Sequence, residues 1–71
     1  MSDFEYSVRE IGRDNPVQWT QLPRQRLVEG GDNMEIELAE FMLKRQPELL
    51  SVTFCSVGDG DNHIEMKVAK R

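Results

Sequence analysis

The stretch DNMEIELAEFMLKRQP, residues 32–47, decides the fold, because it reads as a helix throughout. Asp32 or Asn33 can cap its start, and Glu35 stands three residues after Asp32, a variant of the capping-box spacing. Pro47 places its end near Arg45 and Gln46, since proline disfavours helical geometry in the residue before it. At about 100° per residue, Glu37, Glu40 and Lys44 fall on one narrow face, with Glu40 and Lys44 a favourable i,i+4 pair. Met34, Leu38, Phe41 and Met42 fill an apolar stripe opposite, and Ile36, Ala39 and Leu43 extend it past half the circumference. One sheet face covers only about 100° of a helix, so Ile36 and Leu43 call for a second cover.

Strand-like segments lie on both sides. Phe4, Tyr6 and Val8 alternate with Glu5, Ser7 and Arg9, a period of two that marks a half-buried strand. The cluster from Gly12 to Pro16 reads as a turn, after which Val17, Gln18, Trp19 and Thr20 alternate again as a second strand. Pro23 cannot donate to a ladder, so that strand ends there or lies at an edge. Arg24 to Glu29 reads as an extended return ending at Gly30 and Gly31. After the helix, Leu50, Val52 and Phe54 share one face of a third strand, with Ser51, Thr53 and Cys55 on the other. The run from Gly58 to Asn62 is a hairpin loop, and Ile64, Met66 and Val68 alternate with His63, Glu65 and Lys67 in a fourth strand. The expectation is one small α+β domain over residues 1–71. Its order is β-β-α-β-β, a four-stranded, mainly antiparallel sheet with one helix packed on one face. Phe4, Tyr6, Trp19, Leu38, Phe41, Val52, Phe54, Ile64 and Met66 are the expected core.

Composition narrows the function classes. With 71 residues, 38% apolar and 31% charged, the chain suits one soluble globular domain with a thin core. No run approaches the roughly 18 apolar residues of a membrane span, and nothing reads as a leader, so the expected place is the cytoplasm, host cytoplasm if the chain is phage-encoded. Cys55 is the lone cysteine and His63 the lone histidine, which sets aside disulfide scaffolds and zinc fingers. The net charge of −4 comes from residues 29–40, where Glu29, Asp32, Glu35, Glu37 and Glu40 occur without a base. These acids read either as a solvated helix start at the positive dipole end or as a recognition surface.

Three constellations could carry chemistry. Cys55 and His63 lie across the expected hairpin and could come within reach of each other. An open sheet face lacks the pocket and oxyanion donors of acyl chemistry, so no catalytic residue and no enzyme are expected. Asp59, Asp61 and Asn62 sit in too short a segment for a calcium loop even with Glu65 nearby, and neither metal nor cofactor is expected. Arg24 and Arg26, with Trp19 and Arg13 upstream and a basic end at Lys70 and Arg71, form the best nucleic-acid candidate. Net acidity counts against it, because phosphate binding is mostly electrostatic.

The run Glu35-Ile36-Glu37-Leu38-Ala39-Glu40-Phe41 follows a strand pair and leads into a strand. In this it resembles the helix of small phage-encoded inhibitors of bacterial RNA polymerase, over residues 4–57 at most. The resemblance implies one helix on a small antiparallel sheet and a protein that takes over a host protein by binding it. Those inhibitors carry arginines on the strand after the helix, where this chain has Ser51, Thr53 and Cys55, so no site residue is carried over.

The expected function is therefore that of a non-enzymatic protein-interaction module, a phage or mobile-element protein that inhibits or modulates a host protein. A nucleic-acid-binding module and a small oligomeric component of a phage particle are the alternatives. Partner contact, with a host protein or a second copy in a homodimer, is expected on the helix flank at Ile36 and Leu43. Glu29, Asp32, Glu37 and Glu40 would rim it. The competing expectation is that Leu27 and Val28 fold over this flank within one chain.

Overall fold

A computed structural model describes residues 3–12, 18–29, 33–55 and 62–71 of the chain. Strand β1 (Phe4–Ile11) is followed by β2 (Thr20–Gln21), helix α1 (Arg24–Glu29), helix α2 (Asn33–Arg45), β3 (Ser51–Cys55) and β4 (His63–Lys70). The four strands form one antiparallel sheet in the order β2-β1-β4-β3. The fold is α+β, as the alternation of strand and helix patterns requires.

Register sorts the side chains onto two faces. Tyr6 pairs with Val68 and Val8 with Met66 across the centre, while Val52 pairs with Val68 and Phe54 with Met66. Phe4, Tyr6, Met66 and Val68 are buried on this face, with Val8, Val52 and Phe54 partly buried against them. The helices cover it. Ile36 and Leu43 from α2 reach 0% and 1% exposure, and Leu27 of α1 is buried with them. Ala39 lies between Ile36 and Leu43 on the same helix face, and its small side chain lets the helix axis approach the sheet. Each of the large side chains buried there contributes about 1.5–3 kcal/mol.

Two ends of this packing are tied by polar contacts. The Lys70 ammonium donates to the carbonyls of Gln46 and Pro47, at 2.9 and 3.2 Å, just past the last turn of α2. A cation there meets carbonyls at the negative end of the helix dipole, that of Gln46 also accepting from the Leu49 amide. At the other side, Tyr6 and Arg24 both donate to the Glu40 carboxylate, the latter through Nε at 2.8 Å and Nη2 at 3.1 Å.

The structure corrects several expectations. Arg24–Glu29 is a helix and not an extended return. Pro23 acts there as a helix starter, its fixed φ suiting the residues that follow, and the Arg26 amide donates to its carbonyl. The second strand is only two residues long, so Gln18 and Trp19 precede it. The phase of α2 is rotated: Ile36, Ala39 and Leu43 face the core, while Leu38 and Phe41 are 59% and 56% exposed. Apolar residues run most of the way around this helix, so its periodicity alone does not choose a face. Burial of Leu27 beside Ile36 and Leu43 does, together with the Tyr6 and Arg24 partners that wait for Glu40. Ile64 is also exposed, and Trp19 is half-buried away from the helices. The expected turn from Arg13 to Pro16, Val17 of the second strand, the glycines at 30 and 31, the Asp32 cap and the loop over 58–61 lie outside the described residues.

Candidate functional site

Two surfaces remain after the core is assembled. The first is the outer face of α2, directly opposite Ile36, Ala39 and Leu43. Met34, Leu38 and Phe41 occur at i, i+4 and i+7, and helical geometry puts them in one line. Met34 is 81% exposed. The Arg45 guanidinium lies 5.4 Å from the Phe41 ring centroid, which continues the line by one more position and leaves a charge at its end. Glu35 and Glu37, both exposed, flank the first turns.

The second surface is the sheet face turned away from the helices. Arg9 pairs with Glu65 and Cys55 pairs with Glu65 from the other side, so three neighbouring strands present these side chains in one row. His63 stands two residues before Glu65 on the same face, because strand side chains alternate. Arg9 Nε donates to Glu65 Oε1 at 2.5 Å, and Cys55 Sγ donates to Oε2 at 3.7 Å. Trp19 lies against two cations of the sheet face, with the Arg9 guanidinium and the Lys67 ammonium each 4.4 Å from its ring centroid. Its partly desolvated ring fixes the Arg9 side chain, which in turn orients the Glu65 carboxylate.

The residues expected to meet a partner are scattered by this arrangement. Ile36 and Leu43 are core, buried in one cluster with Leu27 and the sheet residues Phe4, Tyr6, Met66 and Val68, and so offer no surface to another chain. Glu40 turns to Tyr6 and Arg24 and holds the fold together. Partial burial pushes its carboxyl up, yet the hydrogen bonds of Arg24 and Tyr6 and the charges of Arg24 and Lys44 outweigh that and hold it below its ordinary value. Glu29 ends α1 in an exposed position, Glu37 is exposed beside the outer stripe, and Asp32 lies outside the described residues. Met34, Leu38 and Phe41 were legible as one apolar stripe, but Leu38 and Phe41 were expected in the core and are exposed.

The nucleic-acid candidates are separated too. Arg24 is paired with Glu40 on the helix side, while Trp19 sits on the opposite sheet face. Lys70 of the basic end is engaged with helix carbonyls. Arg26 is exposed, and Arg13 lies outside the described residues. Cys55 and His63 do come together, and Glu65 joins them, a partner that the linear reading placed only with the aspartates of the loop. Among the described residues, no helix is long and apolar enough to cross a membrane. Comparison with protein-family models, with curated proteins and with solved structures found no match to this chain.

Proposed function

We propose that this chain is a non-enzymatic protein-interaction module that lays the outer face of α2 into an apolar groove of a partner protein and so inhibits or modulates it. The line of Met34, Leu38 and Phe41, exposed together on one helix face, carries the reading. Single exposed apolar residues are ordinary, but three at i, i+4 and i+7 match the anchor spacing of helix-in-groove recognition. The opposite face holds the fold, so the anchors are free to be desolvated by a partner without unpacking the core.

Charge gives the contact a direction. Glu35 and Glu37 flank the first turns, and Lys44 and Arg45 close the last. A matching groove is basic at one end and acidic at the other, which favours one orientation of the helix and disfavours the reverse. Occluding a groove that the partner uses for its own ligands is how so small a protein would inhibit, in the manner of the phage-encoded inhibitors that its helix resembles.

The test places a photo-crosslinking residue at position 38, or at Thr53 on the opposite face as control. A discrete adduct from position 38 alone is expected. The adduct's protein, once purified, should bind the wild-type chain in calorimetry and lose at least tenfold in affinity for the Leu38→Glu, Phe41→Glu double variant. Equal binding of the two chains would overturn the reading. A dimer of this chain as the sole adduct would replace the foreign partner by a second copy.

A further inference from the structure

We propose that Cys55, His63 and Glu65 form a binding site for one zinc ion on the open face of the sheet. Their ligand atoms, one sulfur, one imidazole nitrogen and one carboxylate oxygen, all lie within 4.8 Å of one another. Tetrahedral zinc with bonds of about 2.0–2.3 Å holds its ligand atoms roughly 3.3–3.8 Å apart. The Cys55 Sγ to Glu65 Oε2 separation of 3.7 Å already falls in that range. Small rotamer changes of His63 complete the triangle.

The site is built by strand register rather than by a loop. Cys55 and Glu65 are directly opposed in the β3–β4 ladder, and His63 follows on the same face. Glu65 is held from behind: Arg9 takes its Oε1, and Trp19 packs on Arg9. Such outer contacts fix a carboxylate so that only its second oxygen is offered forward, as the outer ligand shells of metal sites do. The hydrogen bond from the thiol to Oε2 marks the position of the cation, which would replace the shared proton and release it to solvent. A thiolate, an imidazole and a carboxylate together suit zinc better than magnesium or calcium, which take oxygen ligands. Three protein ligands leave a fourth position for water. The ion would also clip the edge strand β3 to β4 at the Cys55–Glu65 pair.

The experiment titrates the metal-free, reduced protein with cobalt(II) as a spectroscopic stand-in, then displaces it with zinc against a competing chelator dye. The expected result is one equivalent bound, with a thiolate-to-cobalt charge-transfer band in the near ultraviolet that zinc removes. Cys55→Ala should abolish the band, and His63→Ala and Glu65→Gln should each weaken zinc binding at least tenfold. Cys55 is exposed, so its replacement leaves the fold in place, which circular dichroism of the metal-free chains verifies. Zinc should raise the melting temperature of the wild type and leave that of the Cys55→Ala, His63→Ala double variant unchanged. Binding without a thiolate band, equal zinc affinity in wild type and double variant, or no binding at micromolar zinc would each overturn the proposal.

Discussion

Arg24 Nε stands 2.8 Å from Glu40 Oε2, and this contact fastens the short helix α1 to the long helix α2. The Tyr6 hydroxyl donates to the same carboxylate from β1, so three elements meet at one charged group. The hydrogen bond to Glu40 raises the Arg24 guanidinium further above its already high value. Leu27, one helical turn after Arg24, belongs to the same buried cluster as Ile36 and Leu43.

Folding lowers the Glu40 pKa, so the unfolded chain takes up that proton first as the solution is acidified. The stability contributed by Glu40 is complete above its ordinary value of 4.5 and is lost as pH falls through the lower, folded value. Glu40→Gln should cost about 1 kcal/mol near neutral pH, with the exposure of Arg24 keeping the figure modest. Urea denaturation near pH 7 and near pH 3 checks this: the gap between wild type and variant should shrink in acid.

Truncation on the two faces of α2 should give opposite outcomes. Leu43→Ala or Ile36→Ala should cost about 2–5 kcal/mol, enough to unfold much of so small a domain. Phe41→Ala and Leu38→Ala should stay within about 0.5 kcal/mol of wild type, as exposed positions do. Thermal melts followed by circular dichroism separate the two sets.

Lys70→Met should remove the cation from the end of α2 while keeping the apolar stem. A loss of about 0.5–1 kcal/mol is expected, concentrated in the last helical turn. Hydrogen exchange should therefore quicken at Arg45 and Gln46 more than at Ala39.

On the open sheet face, Arg9→Gln and Lys67→Gln should each expose the Trp19 ring to water. A red shift of its fluorescence is expected, with a stability change under about 1 kcal/mol for either variant. The single tryptophan makes the assignment unambiguous.

Strands and the long helix were legible because their patterns are local. Phe4, Tyr6 and Val8 alternate against Glu5, Ser7 and Arg9, and the helix keeps its boundaries at Asn33 and Arg45. Three features were not legible in this way. The six residues of α1 carry only Leu27 and Val28 as apolar markers, too few to show a period, and Pro23 reads equally as a strand stop or a helix start. The facing of α2 depends on what covers it, and α1 was that cover. Once Arg24–Glu29 is read as extended, Ile36 and Leu43 look unpartnered and Phe41 looks central. Cys55, His63 and Glu65 needed the β3–β4 register, since spacing along the chain suggests only the first two as neighbours across the hairpin.

The central strands of the sheet, β1 and β4, are partners although nearly the whole chain lies between them. Before β4 docks, β1 has, among the described strands, only the two residues of β2 to pair with. Helices α1 and α2 can meet one another, but the sheet they rest on stays incomplete until Met66 and Val68 join it. Until then Phe4 and Tyr6 face water beside an open strand edge, the condition in which nascent chains associate wrongly.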